Sequence, residues 1–408
     1  MAKYRVAVVI PVFNQWQLTA DCLRSLRAYT PAEDVQVIVV DNGSTDETAG
    51  ACGRLGHELF GKRFEHVRLD ENINFGPGCN LGASRADADF LFFLNNDTLL
   101  TPGWLPPQLA AFETDAGLGA VGPLLLYPDS DRVQHLGVTF TPNSHVAHLY
   151  EYFPSTHRVI WSRRDLQAIT GAALMLPASV FDQVGGFWPE YRNGYEDLDL
   201  CRQIRLMGRT LRCEPKSRVY HLTSQTPGRF DSEDHNARIL LGRCSGGFQP
   251  DLHAWAAQDG YALRLGQDLT ANVVLVRAPE ETAWFALDRL WAEVLAEPLW
   301  EEGYNRLVME FFKLRMWGKA LDVLQLQQCF FSSEEIIINM ARVATRTNDT
   351  ILAAQCQSGL SKVRAAASSK DLYQKMLSVK RWAASVDDQV LLAACQQWET
   401  QYAGSAKR

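Results

Sequence analysis

Val35-Gln36-Val37-Ile38-Val39-Val40-Asp41-Asn42-Gly43 is a β-branched run that stops on polar, turn-forming residues. Residues 6–10, 64–69 and 89–94 repeat the pattern, apolar without alternation. A strand that is apolar on both sides is covered on both faces, which predicts parallel pairing with crossover helices. The segments between fit that reading. Residues 15–28 carry Ala20, Leu23 and Leu26 at helical spacing. Ser44-Thr45-Asp46-Glu47 reads as the cap and first turn of a helix that frays near residues 53–56, and residues 78–86 as a short helix. The fold class is α/β, a Rossmann-like, mostly parallel sheet with helices on both faces. Ligands of such sheets sit beyond the carboxyl ends of the strands. The polar clusters fall there: Asn14, residues 41–46, 72–80 and 95–97.

Composition bounds what this sheet can serve. At 408 residues the chain is long for a single core, so two domains are expected. A charged fraction of 21% and an apolar fraction of 47% exclude a disordered chain. The net charge of −7 argues against nucleic acid as the main partner. No window approaches eighteen consecutive apolar residues, so no membrane span is expected, and peripheral membrane contact is the class left open. The apolar run at 6–10 is too short for a signal peptide and meets Pro11 at once. Nine cysteines, an odd number without C-x-x-C spacing, speak against a disulfide framework or zinc cluster. They read as buried free thiols in a reducing, cytoplasmic setting.

Farther on the pattern changes twice. Residues 1–235 are assigned to the α/β domain, although 101–235 are less regular, and Gly-rich residues 236–270 read as an irregular linker. After Pro279, Trp284, Leu287, Trp291, Val294 and Leu295 fall on one helical face. Further helices are predicted at about 299–316, 319–329, 333–347, 350–365, 370–383 and 387–401, with breaks such as Ser332-Ser333 and Asn348-Asp349. Residues 271–408 thus form an all-α domain resembling a tetratricopeptide-like solenoid, whose concave surface suits a bound protein.

Four clusters carry chemistry. Pro11-Val12-Phe13-Asn14 places a rigid turn directly after a strand, and Asp41 and Ser44 deliver a carboxylate and a hydroxyl after the next. Such residues before a helix also serve as caps. Asn72-x-Asn74-Phe75-Gly76-Pro77-Gly78-Cys79-Asn80 surrounds amides with glycines that allow close backbone approach. Asn95-Asn96-Asp97 ends a fully apolar strand, where Asp97 could hold Mg²⁺ or Mn²⁺ while phosphates complete the shell. Glu196-Asp197-x-Asp199 puts three acids at a helix start. They complement the helix dipole, and their crowding suits a general base.

Taken in order, Pro11…Asn14, Asp41…Asp46, Asn74-Phe75-Gly76…Asn80, Asn95-Asn96-Asp97, Thr170-Gly171-Ala172, Gly185-Gly186-Phe187 and Glu196-Asp197-x-Asp199 resemble the family 2 inverting glycosyltransferases, within them the rhamnosyltransferase-like branch. The match runs from about residue 5 to 230. The resemblance implies a GT-A fold and an enzyme that moves a sugar from a nucleoside-diphosphate sugar, UDP or dTDP, to a glycan, lipid-linked or protein hydroxyl. It implies donor binding by Pro11, Phe13, Asn14, Asp41, Ser44, Asn74, Gly76, Asn80, Asn95, Asn96 and Gly171. Asp97 matches the last residue of a D-x-D metal motif whose first position is Asn95 here, and His221 stands where a histidine completes the Mn²⁺ or Mg²⁺ site. Asp197 matches the catalytic base, with Glu196 beside it. The competing reading is a degenerate GT-A domain that binds sugars or acts as a scaffold through its helical half, which Asn95 favours and the intact Asp97, Glu196, Asp197 and His221 oppose.

Overall fold

The computed structural model describes residues 3–31, 35–222, 232–276, 287–369 and 371–406. It opens with the expected alternation: β1 (Tyr4–Val12), α1 (Trp16–Tyr29), β2 (Val35–Asp41), α2 (Thr48–Phe60), β3 (Phe64–Arg68), α3 (Phe75–Ser84) and β4 (Ala88–Leu94). The unbroken apolar strands are explained by cover on two sides. Val6, Val8, Ile10 and Val12 join a core with Cys22, Leu23 and Leu26 of α1. The intervening Val9 faces α3, where a Cβ on Gly82 would lie 2.3 Å from its Cγ1, so only glycine lets this helix approach. The helix predicted to fray at residues 53–56 instead runs to Phe60. Gly56 sits against the Phe64 ring, where a Cβ would come within 2.0 Å, so the glycine is a packing device there.

After β4 come β5 (Thr98–Leu100), α4 (Leu105–Thr114), β6 (Leu118–Leu126), β7 (Val133–His135), β8 (Val138–Phe140), β9 (Val146–His148), β10 (Ala173–Pro177), α5 (Ala178–Val184), α6 (Glu196–Leu206), β11 (Thr210–His221) and α7 (Glu233–Cys244). The main sheet runs β3-β2-β1-β4-β10-β6-β11-β5, with β7 added on β6. Its first four strands are parallel, β10 is antiparallel to β4 and β6, and β11 is parallel to β6 but antiparallel to β5. The sheet is therefore mixed, with the reversed strand β10 near its centre.

This register gathers chemistry at one edge. Val12 pairs with Asp41, Leu94 with Ala173, and Thr98 with His221. Because β10 runs backwards, the loop before it, Thr170-Gly171-Ala172, meets the carboxyl ends of β1 and β4. Asn95 N–H donates to Ala172 O at 2.8 Å and secures that meeting.

Contacts divide the chain into two compact units. One comprises Met1–Thr139, His148–Glu151 and Ile160–Gln249; the other comprises Phe140–Ala147, Tyr152–Val159 and Pro250–Arg408. The second contains α8 (Leu252–Gln258), the antiparallel pair β12 (Tyr261–Leu265) and β13 (Ala271–Leu275), and α9 (Leu287–Ala296). Then follow α10 (Glu301–Lys313), α11 (Trp317–Gln328), α12 (Glu334–Thr347), α13 (Thr350–Ala367), α14 (Leu372–Ser385) and α15 (Gln389–Ala406), the six helices read from the sequence. Two predicted breaks are caps: Ser333 accepts from Glu335 N–H at 3.1 Å and Asp349 from Leu352 N–H at 2.9 Å. Trp398 of α15, buried, donates its indole N–H to Gly266 O at 2.9 Å. Pro279 and Trp284 lie outside the described residues.

Residues 236–270, expected to be irregular, are largely ordered: they hold most of α7, all of α8 and β12. Gly246 and Gly247 follow the end of α7 and precede the division between the two units at Gln249 and Pro250. Asn236, buried, accepts from Arg192 N–H at 2.9 Å and donates to Arg192 O at 3.0 Å, pinning α7 by a long-range contact.

Candidate active site

At the carboxyl edge of the sheet a cleft is walled by Pro11, Phe13, Gln15 and Asn42 from the first two strand ends. Asn95, Asn96, Asp97 and His221 line another part of it, and Thr170, Gly171 and Ala172 a third. Asn72, Phe75, Asn193, Gly194, Tyr195, Glu196 and Asp197 complete it. Of the sequence-predicted site residues, Pro11, Phe13, Asn95, Asn96, Asp97, Gly171, Glu196, Asp197 and His221 thus share one wall-to-wall space. Asn42, Asn72, Tyr195, Asn193 and Gln15 were not singled out as binding residues. Asn42 and Asn72 stand inside the quoted motifs, which was the available signal.

The remaining predicted residues build the loops behind the cleft. Asn14, at φ 57°, accepts through Oδ1 from Thr45 N–H at 2.8 Å and Asp46 N–H at 3.3 Å, while its own N–H donates to Ser44 Oγ at 2.8 Å. It thereby ties the loop after β1 to the loop after β2. Asp41 is fully buried. Its Oδ1 accepts from Ser44 N–H at 2.8 Å, and its Oδ2 stands 3.8 Å from His66 Nε2. Burial lowers the His66 pKa, against the pull of Asp41. Neither Asp41 nor Ser44 is among the cleft-lining residues.

Asn74 takes φ 70° at the start of α3 and donates its N–H to Asn72 Oδ1 at 2.8 Å. Gly76 lets α3 approach the loop at Phe187, whose Cβ would lie 3.2 Å from an added Cβ. Asn80 clamps that same loop: its Nδ2 donates to Phe187 O at 2.8 Å and its Oδ1 accepts from Phe187 N–H at 2.9 Å.

The three acids at the start of α6 do not act as one cluster. Asp199 is buried and pairs with Arg243, also accepting from Gln203 Nε2 at 2.8 Å. Arg243 in turn lies 3.8 Å over the Trp188 ring. Glu196, buried, accepts from Gly194 N–H at 2.6 Å, closing a turn in which Asn193, Gly194 and Tyr195 all have positive φ. Asp197 remains at the cleft. Its Oδ2 accepts from Gly171 N–H at 2.8 Å and its Oδ1 from Leu198 N–H at 2.9 Å. A Cβ on Gly171 would lie 3.2 Å from Asp197 Cβ, which explains a glycine opposite this carboxylate.

On the far side, His221 Nε2 stands 3.2 Å from Asp97 Oδ1 and 3.5 Å from Asn95 Nδ2. Both Asp97 and His221 are buried. Their pairing follows from the β5–β11 register, which puts His221 opposite Thr98. Asn96 turns its amide to Thr19 Oγ1 at 2.9 Å. Among the described residues no group of three or more His, Cys, Asp and Glu is arranged so that it could hold a metal ion. An Asp97 oxygen and a His221 nitrogen 3.2 Å apart are an oxygen and a nitrogen donor of the kind that could hold a divalent cation.

Behind this pair, His135 Nε2 accepts from Thr170 N–H at 3.2 Å, and His135 Nδ1 faces His148 Nδ1 at 2.7 Å. Burial, then the neighbouring His148 and His221, hold the His135 imidazole well below the usual histidine range. Burial likewise pushes the Cys22 thiol, beside Thr98, up to about 12. All nine cysteines are free thiols and seven are buried. Among the described residues no helix is long and apolar enough to cross a membrane.

Residues 7–185 match the family model described as glycosyl transferase family 2. N-acetylglucosaminyl-diphospho-decaprenol L-rhamnosyltransferase of Mycobacterium tuberculosis is 28% identical over 262 residues, 56% of this chain and 82% of that protein. The O-antigen biosynthesis protein RfbC of Myxococcus xanthus is 28% identical over 53% of this chain and 17% of its own length. The aligned part is only 26% and 17% of the length of the first two curated relatives matched. Among solved structures, a mannosyltransferase of Pyrobaculum calidifontis in complex with GDP-Man and Mn²⁺ superposes with a TM-score of 0.44 at 16% identity, covering 91% of this chain and 88% of that one. Residues 7–185 of this chain are a glycosyl transferase family 2 domain.

Proposed function

We propose that this chain transfers a sugar from a nucleoside-diphosphate sugar, with UDP or dTDP as the base-bearing part, to a hydroxyl of a glycan, lipid-linked or protein acceptor, with inversion at the anomeric carbon. One observation carries the reading: Asp197, oriented by two backbone N–H groups, lines the same cleft as the Asp97–His221 pair. The first supplies a proton acceptor and the second a place for the diphosphate.

Pro11, Phe13, Gln15 and Asn42 offer the nucleoside an apolar wall with amides at its rim. Asp97 and His221 would hold a divalent cation, whose charge offsets the charge that develops on the departing diphosphate. Asp197 takes the proton from the acceptor hydroxyl as that oxygen attacks the anomeric carbon. The carbon–oxygen bond to the diphosphate breaks on the opposite face, and its electron pair leaves with the diphosphate. A single displacement of this kind needs no covalent enzyme intermediate. Gly171 and Leu198 N–H keep the carboxylate aimed, and Glu196 shapes the acceptor side by holding the turn at Gly194.

A thermal-shift panel of UDP-, dTDP- and GDP-sugars with Mn²⁺ tests donor use, since a ligand of the native state raises its apparent stability. Coupled turnover assays on the stabilising donors complete the test. Stabilisation by a donor without any transfer or hydrolysis would favour the sugar-binding scaffold reading instead.

A further inference from the structure

Gln134 sits in the middle of β7, a strand of three residues that are all buried. Its amide reaches a residue 87 positions away: Nε2 donates to His221 O at 2.8 Å, and Oε1 stands 2.6 Å from His221 Nδ1. A carbonyl oxygen only accepts, so the amide nitrogen must face His221 O. That leaves Oε1, itself only an acceptor, against Nδ1, and Nδ1 must then carry the hydrogen. A neutral imidazole has one N–H. In that form its other nitrogen, Nε2, carries the lone pair, with Asn95 Nδ2 3.5 Å and Asp97 Oδ1 3.2 Å away. A divalent cation held as in the proposed function would take that lone pair together with the Asp97 carboxylate.

We propose that Gln134 is a positioning residue that locks His221 in the Nδ1–H tautomer and so presents Nε2, together with Asp97, to a divalent cation. The proposal rests on the metal-assisted reading given above. Glutamine suits the task because it supplies one donor and one acceptor at the two atoms required. Glutamate keeps the acceptor for Nδ1 and lacks the donor for His221 O, whereas methionine of similar length supplies neither.

The test uses the full chain labelled with ¹⁵N-histidine, with Mn²⁺ alone as the probe. Long-range ¹H–¹⁵N spectra of the metal-free protein at alkaline pH report which nitrogen of His221 is protonated, its signals being assigned by their loss in H221A. Wild type should show Nδ1–H. Q134M should lose that preference and bind Mn²⁺ about 10- to 100-fold more weakly, the usual effect of removing a partner that orients a metal ligand. Q134E should keep the tautomer and bind Mn²⁺ more tightly than Q134M. Wild-type tautomer and Mn²⁺ affinity in Q134M would overturn the proposal. If Q134M does not fold, Q134E decides, and loss of Nδ1–H in it overturns the proposal. H221A separates the two levels. If it binds Mn²⁺ as wild type does, the metal-assisted reading itself is wrong. If it loses Mn²⁺ while Q134M does not, only the role of Gln134 is.

Discussion

Replacing Asn80 by alanine separates a ligand contact from a structural clamp. Its two hydrogen bonds, at 2.8 and 2.9 Å, both go to the backbone of Phe187. Each contributes about 1 kcal/mol net, and leaving the polar groups of a buried residue unpaired adds about 1 kcal/mol or more. Phe187 is 1% exposed and packs on Phe75, Phe93 and Phe181, so water does not readily replace the lost partners. The sum is about 3 kcal/mol against local opening of the loop, or roughly a hundredfold in exchange rate. Hydrogen exchange read on peptides spanning residues 185–195 should show that acceleration in N80A, centred on the Phe187 amide. Wild-type protection of Phe187 together with lost UDP binding would refute the clamp and return Asn80 to the donor-contact role that the family resemblance implies.

Two further perturbations read the buried ionisable groups. His135 has its pKa depressed in the folded state, so the unfolded chain binds the proton first as pH falls below about 6.5, and stability drops by up to about 1.4 kcal/mol per pH unit there; H135N should flatten that acid-side loss in thermal melts, and an unchanged slope would count against a neutral buried His135. The Asp199 side chain is 2% exposed and that of Arg243 29%, so R243A strands a buried carboxylate at a cost of about 3 kcal/mol, whereas D199N leaves only a solvent-reaching guanidinium and should cost clearly less. Urea midpoints that rank the two variants the other way would contradict the pairing.

Local pattern revealed much of the first hundred residues. Val35–Asp41 and its relatives are apolar on both sides because α1 and α3 cover β1 on opposite faces, and that signal is written in consecutive residues. Capping chemistry likewise marked Ser333 and Asp349. What escaped was set by distant contacts. The reversal of β10, the order in residues 236–270 and the clamp of Asn80 on Phe187 each depend on partners tens of residues away. The acids at 196–199 looked like one cluster, yet a helix start sends them in different directions, and Arg243 claims Asp199. Gln134 had no local mark, since its partner is 87 residues ahead.

In the proposed reaction Asp197 takes the acceptor proton. Transfer by wild type and D197N, measured with Mn²⁺ and the donor that stabilises the protein, tests it most directly. Asparagine keeps one carbonyl oxygen for the Gly171 or Leu198 N–H but cannot serve as the base. D197N should bind the donor as wild type does and transfer about 10²- to 10⁴-fold more slowly. Transfer at the wild-type rate by D197N would contradict the assignment.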